Sequence, residues 1–307
     1  MFYSPYKGCF FVLLIASPLF VFGGPDLYSH RLLIELWNLG HLFFFALFVF
    51  LLDHYWCSQQ RSKFFRITTT LIVLVSIGFT TELIQLGIAD RFFSWMDLAK
   101  DVSGGIIVLF WKICQKKPRA QTVFFRVIAL FCLGINLIPL VQISIDTYHS
   151  YKEFPLLAGF EHKNELSRWD GAARVTLDSK VHLEGSYSGK IELGTERYSG
   201  IFLNHFRRDW SHCRGLSFSV FNPGPSLQLY FRVHDNLHSG DFQEFSNRFN
   251  GNSVLDRGWN EIVIPMIDIL HGPQNREMNL DKIQCFGIFV VQQKNKRTLY
   301  IDNVRLL

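Results

Sequence analysis

Glu82, Gln85, Arg91, Asp97 and Asp101 crowd into the stretch TELIQLGIADRFFSWMDLAKDVSGG, with a long apolar run on either side. A carboxylate near the middle of a bilayer costs at least a few kcal/mol unless it faces a partner or water. The crowding therefore predicts one shared polar cluster. At helical spacing Glu82 and Gln85 stand at i and i+3, and Asp97, Asp101, Gly104 and Gly105 at i, i+4, i+7 and i+8, so each set shares a face. Arg91, in the short connection, is the natural counter-ion for Glu82 or Asp97, and Ser94 can cap the helix that follows. His41, in WNLGHLFFF, is the other titratable group expected to reach the cluster. Three chemistries suit such a set: binding of a polar head group, acid–base work by Glu82 and Asp97 or activation of Ser103 by His41, and a structural latch of buried pairs.

Long apolar helices must position these residues. A span needs about 20 residues, or slightly fewer, and the apolar runs predict about five: 9–22, 37–52, 67–88, 96–113 and 123–143. The fourth works only if its charged face turns into a bundle. The first contains Pro18, and its alternative is a cleaved signal peptide ending near Gly23 and Gly24. Before residue 150 there are 12 Lys and Arg against 8 Asp and Glu, so the first half is net basic, while the second is nearly neutral. That excess reads as membrane orientation and gives nucleic acid no foothold. Arg61, Lys63 and Arg66 fall in one loop region and Lys112, Lys116, Lys117 and Arg119 in another, whereas the opposite loops carry Arg31 and Arg91. The bias places the amino terminus in the cytoplasm and, after five spans, the carboxyl half outside.

The spacing Glu82-x2-Gln85, then Arg91-x2-Ser94-x2-Asp97, then Gly104-Gly105, with an upstream His41, resembles the signature of VanZ-like membrane proteins over about residues 1–120. Asp101 stands where that pattern has Asn. The resemblance implies a four-helix membrane domain over 1–120 and a role in envelope physiology, including glycopeptide-antibiotic tolerance.

After Asp146 the pattern changes to short alternating stretches separated by Gly, Asn, Pro and Asp. ARVTLD, GKIEL, GIFLNHF, GLSFSVF, SLQLYFRVHD, NRFN, NEIVIP, QCFGIFVV and TLYIDNVRL are the candidate strands, enough for a β-sandwich or jelly roll over 149–307 with 121–148 as fifth helix and linker. In the strand 227–235, Leu227, Leu229, Phe231 and Val233 make a core face, and Gln228, Tyr230, Arg232 and His234 the other. Tyr230, Arg232 and His234, extended by Arg248, suit a glycan surface, since a sugar offers C–H faces to rings and hydroxyls to polar groups. Exposed antiparallel strands also alternate this way with no ligand. Trp169, Trp210 and Trp259 sit beside turn residues and read as core or rim. Cys213 and Cys285 are either a bridge or two separate buried thiols.

GFEHKNELSRW, HLEGSYSGKIEL and LYIDNVRL resemble the ends of a galactose-binding-like jelly roll of the carbohydrate-binding-module kind. That resemblance implies a structural calcium held by Glu161, Gly185 or Ser186, and Asp302. The whole chain is thus expected to be a polytopic α-helical membrane domain followed by an all-β exported domain. The expected site is a bacterial inner membrane with the second domain in the periplasm. Its expected partners are membrane lipid and an envelope polysaccharide or lipid-linked glycan.

Overall fold

The computed structural model describes residues 5–25, 29–55, 62–87, 93–113, 118–238 and 244–307. The chain divides into two compact units, Met1–Ile143 and Ser144–Leu307. Five helices precede the strands: α1 (Pro5–Phe22), α2 (Arg31–Tyr55), α3 (Lys63–Gln85), α4 (Trp95–Ile113) and α5 (Arg119–Glu153), the division falling inside α5. Three of these are long and apolar enough to cross a membrane: α2, residues 64–85 of α3, and α5. The apolar part of α1 is shorter, and α4 carries Asp97, Lys100, Asp101 and Lys112 within its 19 residues. Leu36, Phe43, Ile72, Leu130 and Phe131 are exposed on the outsides of the long helices, as expected of faces that meet hydrocarbon.

Small residues set the packing of the first unit. A Cβ added at Gly104 would strike the Leu42 carbonyl oxygen, with Leu42 C at 2.9 Å and Ala46 N at 3.1 Å, so α4 lies backbone to backbone on α2. At Gly105 the Leu74 side chain of α3 takes the same space, with Val49 Cγ2 at 3.1 Å. Phe45, Val49, Leu74 and Leu109 are buried around this seam. Close approach of this kind is what glycine supplies between membrane helices.

The second unit is a β-sandwich. Its strands are β1 (Leu156–Ala158), β2 (Trp169–Asp170), β3 (Arg174–Asp178), β4 (Ser188–Leu193), β5 (Tyr198–Leu203), β6 (Gly215–Asn222), β7 (Leu227–Asp235), β8 (Phe249–Leu255), β9 (Gly258–Pro265), β10 (Ile283–Val291) and β11 (Arg297–Leu306), with a short α6 (Met266–Leu270) after β9. The first sheet has the order β3-β4-β11-β6-β9, with β1 also on β11, and the second the order β2-β5-β10-β7-β8. Their inner faces enclose Ile201, Leu203, Phe218, Val233, Phe286 and Ile301, all fully buried. β7 alternates as the sequence predicts through Val233, after which His234 and Asp235 are buried too. β1 and β2, of three and two residues, are too short to show in the sequence. β8 runs past the expected NRFN, because Asn250-Gly251-Asn252 reads as a turn. In the fold Gly251 pairs with Phe231, whose ring fills the space a Cβ would need. Cys213 and Cys285 are unbridged. Trp210 is fully buried, its ring nitrogen donating to the Arg207 carbonyl at 3.1 Å, and Trp169 is buried as well.

The end of α5 belongs to this unit. Arg168 Nε lies 3.0 Å from both carboxylate oxygens of Asp146, and its Nη1 donates to the Leu157 carbonyl at 2.9 Å, all out of water. His149 Nδ1 and His162 Nε2 meet Glu153 Oε1 at 3.2 and 3.3 Å, joining the last helical turn to the loop before β2.

A Gly104→Ala change separates helix propensity from packing. In an open helical position alanine gains about 1 kcal/mol over glycine. At Gly104 the obstructing atoms are backbone, so a loss of about 1–3 kcal/mol is expected from overpacking. Gly134→Ala on α5, where nothing lies within 4 Å, is the control and leaves stability unchanged or raises it. Thermal unfolding in detergent reads both; equal behaviour of the two variants would refute the close α2–α4 contact.

Candidate functional sites

In the first unit His41 Nδ1 lies 3.0 Å from Asp101 Oδ1, both side chains buried. Glu82, also buried, accepts the Ser94 amide through Oε2 at 2.8 Å, and Ser94 Oγ accepts the Asp97 amide at 3.1 Å. Ser94 therefore caps α4 while tying it to the end of α3. Glu82 is within electrostatic range of Asp97, His41 and Asp101, and Gln85 is buried on the next turn. Glu82 Oε1 and Asp101 Oδ2 are buried with no hydrogen-bond partner among the described residues. Arg91 lies outside the described residues. The expected alliance of His41 with Ser103 is not assembled: Ser103 Oγ donates to the Ala99 carbonyl of its own helix at 2.7 Å, and His41 is taken by Asp101.

A second polar group joins the other ends of the same helices. Asp53 accepts Arg66 Nε at 2.5 Å and Lys112 Nζ at 2.8 Å, and Lys112 also donates to the Phe50 carbonyl at 2.9 Å. Lys100 stands 3.7 Å from Glu35. Sequence spacing could not find these pairs, since each is made by residues of different helices.

On the outer face of the second sheet the side chains of four strands form a groove of about 660 Å³. Register puts Phe289 between Gly200 and Tyr230, and Gly287 between Phe202 and Arg232. Tyr230 stacks on Phe289 with ring centres 5.8 Å apart at 20°, and Tyr198 meets Phe289 edge-on at 6.1 Å. The Phe202 ring covers Gly287, where a Cβ would collide with it, and the Arg232 guanidinium lies 4.3 Å above that ring. Arg248 reaches in from the edge, 5.5 Å from the Phe245 ring, with Nε donating to Asn250 Oδ1 at 2.9 Å. Asn250 and Asn252 add amides to the same wall. Thus Tyr230, Arg232 and Arg248 line the groove. Of the aromatic residues, Tyr198, Phe202 and Phe289 were not among the predicted site residues; GIFLNHF carries Phe202 and QCFGIFVV carries Phe289, with Tyr198 just before the first, but the pairing that gathers them does not appear in either segment alone.

His234 is apart from this lining. It is buried against His238, ring centres 4.7 Å apart. Burial, then the neighbouring His238 and Arg232 charges, push its pKa down to about 3. Burial also lowers the pKa of His238, and raises that of the Cys285 thiol to about 11. The two imidazoles and the thiol beside Arg232 and Arg248 are therefore uncharged at neutral pH.

Glu161, Gly185, Ser186 and Asp302 meet around the turn before β4. Glu161 Oε1 accepts the Ser186 and Tyr187 amides at 2.8 and 3.0 Å, and its carboxylate lies against Gly185, whose φ of +63° a side chain rarely adopts. Asp302 Oδ2 accepts the Leu183 and Glu184 amides at 2.8 and 3.2 Å, and Oδ1 the Asn303 amide at 2.7 Å. Burial raises the Asp302 pKa, and the Glu161 charge adds to the rise. Two oxygen-donor carboxylates held in mutual repulsion are a donor set that a hard divalent cation fits.

No family model matches the chain, nor does any curated protein sequence, so neither comparison adds to the VanZ-like spacing. Among solved structures the chain is similar to a family 11 carbohydrate-binding module from Clostridium thermocellum in complex with a β-1,3-1,4-mixed-linked tetrasaccharide. Identity there is 18%, over 50% of this chain and 94% of that one, with a TM-score of 0.38. It is also similar to an exo-β-agarase, at 18% identity over 50% of this chain and 24% of that one, TM-score 0.41. A structure of carbohydrate-binding modules from the β-sandwich superfamily matches at 16% identity over 48% and 60%, TM-score 0.34.

The buried His234 sets a pH dependence. Unfolded, the imidazole takes up a proton near pH 6.5; folded, it does so only near 3. Between these values the unfolded state binds more protons, so stability is complete above pH 6.5 and falls on acidification, by up to about 1.4 kcal/mol per pH unit for one group. Denaturant melts of the β-sheet circular-dichroism signal between pH 7 and 4 should show this slope, and His234→Asn should flatten it. An unchanged slope in the variant would exclude His234 as its source.

Proposed function

We propose that this chain is an integral membrane protein of the bacterial envelope that holds a glycan in the groove of its second unit. The observation that supports this reading most is the groove itself: Tyr230 and Phe289 stacked side by side, Tyr198 and Phe202 flanking them, and Arg232, Arg248, Asn250 and Asn252 along the same surface. Ring faces take the C–H surface of a sugar, and guanidinium and amide groups take its hydroxyls. A volume of about 660 Å³ lies in the range of ligand sites. An envelope polysaccharide or a lipid-linked glycan is the proposed partner.

In this reading residues 1–120 are VanZ-like, on the spacing of Glu82, Gln85, Arg91, Ser94 and Asp97. Five spans place the amino terminus in the cytoplasm and residues 149–307 in the periplasm, following the Lys and Arg excess near Arg66 and Lys112. Asp53, held by two cations, serves as a latch. Glu82 and Asp101, each with a buried oxygen that lacks a partner among the described residues, serve to bind a polar head group of membrane lipid. Glu161 and Asp302 hold a structural calcium, which supplies only charge and coordination.

Glycan retention by the detergent-purified full-length protein tests the groove. Tyr230→Ala and Phe289→Ala should each weaken binding by roughly three- to tenfold, the worth of an aromatic contact. Retention of no glycan, or wild-type affinity in both variants, would overturn the reading. For the cation, melting in 1 mM calcium should occur a few degrees above melting in EGTA, and Glu161→Gln should remove the difference. Identical melts of the unaltered protein would dismiss calcium.

A further inference from the structure

The charges along the groove are one-sided. Among the described residues its lining contains two arginines and no carboxylate. Three guanidinium groups lie on its aromatic residues: Arg232 at 4.3 Å from Phe202, Arg248 at 5.5 Å from Phe245, and Arg197 at 5.4 Å from Tyr198. Elsewhere in this unit Arg168, Arg276 and Arg305 have carboxylates, whereas the half-buried Arg297 donates to the Pro225 carbonyl. Arg168 has Asp146, and Arg276 grips Asp235 with Nη1 and Nη2 at 2.5 and 2.7 Å. Among the described residues Arg232 and Arg248 have none: Arg232 Nε is buried without a hydrogen-bond partner there, and Arg248 Nε has the neutral Asn250 amide oxygen.

These two like charges also work on each other. Burial and the proximity of Arg232 lower the affinity of Arg248 for its proton, with only the Cys285 thiol and the Tyr198 phenol opposing. The thiol stays protonated, so it supplies no charge. Holding two guanidiniums together without a carboxylate between them is unfavourable unless an anion completes the set.

We infer that the glycan taken by this groove is an acidic one, carrying carboxylates or comparable anionic groups on its sugar rings. The inference rests on the glycan-binding reading and narrows it to a class of ligand. Tyr198, Tyr230 and Phe289 take the ring faces, while Arg232 and Arg248 take the anionic substituents. Arg232 is held over the Phe202 ring, 4.3 Å from its centre, within the groove lining.

The test compares polygalacturonate, a carboxylated polymer, with a neutral mixed-linkage β-glucan, using the full-length protein in detergent. Binding to polygalacturonate is expected to exceed binding to the glucan by at least about tenfold and to weaken between 50 and 500 mM salt. Arg232→Gln and Arg248→Gln should each reduce polygalacturonate binding by about tenfold, with the circular-dichroism melt confirming that they fold. Arg232→Lys, which keeps the charge but loses the planar group over Phe202, should bind more weakly than the unaltered protein and more tightly than Arg232→Gln. If the neutral glucan binds as well as polygalacturonate and the arginine variants affect both alike, the acidic ligand is refuted while the glycan-binding reading survives. Binding of neither polymer, together with no glycan retained in a broader screen, brings down both.

Discussion

At Gly287 the middle strand of the second sheet has no side chain, and the groove depends on that gap. The Phe202 ring lies across it, and the Arg232 guanidinium lies on the ring. Any Cβ at this point would lift Phe202 out of the sheet surface and take the arginine with it. Gly200 does the same service one pair along, where the backbone and Cβ of Phe289 come close. Glycine inside a strand weakens it, by loss of side-chain packing and by added freedom in the unfolded chain. Here one such position is filled by the Phe202 ring and the other by the backbone and Cβ of the adjacent strand. The cost to the ladder is offset by a set of rings that stand upright at a fixed spacing.

How legible was this in the sequence? Element type was legible wherever the period was long. The run through α5, the alternation in β7 and the apolar alternation of β10 are each local signals that a neighbour cannot reverse. β8 was half hidden because Asn250-Gly251-Asn252 favours turns, and only the Phe231 ring across the ladder makes a strand there worthwhile. Tyr230, Arg232 and Arg248 were visible because one strand and its neighbour carry them. Phe202 and Phe289 were not, since β5, β10 and β7 adjoin through a register that no segment encodes by itself. His234 shows the limit of alternation: it holds the outward parity of Tyr230 and Arg232 but sits where the following turn closes over it, beside His238.

The helical unit makes the same point with charge. Spacing alone placed Glu82 with Gln85, and Asp97 with Asp101, on shared faces, and the structure brings Glu82, Asp101 and His41 within reach of one another. Spacing did not reveal Asp53, whose two cations come from α3 and α4. The two groups differ in how completely they are satisfied. Asp53 meets a guanidinium and an ammonium, so its charge is fully answered. Asp101 meets one imidazole and Glu82 one amide, each by a single oxygen. A buried pair that is complete can serve as a fastening; a carboxylate with an open oxygen in an apolar setting favours whatever polar group can enter.

The carboxylates of the second unit divide in a similar way, and their placement separates stability from binding. Asp302 belongs to β11 in the first sheet, while the groove is built on the second. A cation near Glu161 and Asp302 would fasten the turn at 183–187 to the centre of the first sheet, where β11 lies between β4 and β6. It would touch no residue of the groove lining. Acidic groups gather at one turn of the first sheet, while Arg232 and Arg248 stand on the outer face of the second with no carboxylate partner among the described residues. Arg168 and Arg276, by contrast, are each fastened to a carboxylate, Asp146 and Asp235. Arg232 and Arg248 lie instead beside stacked rings, where an anion from solution would complete their charge balance.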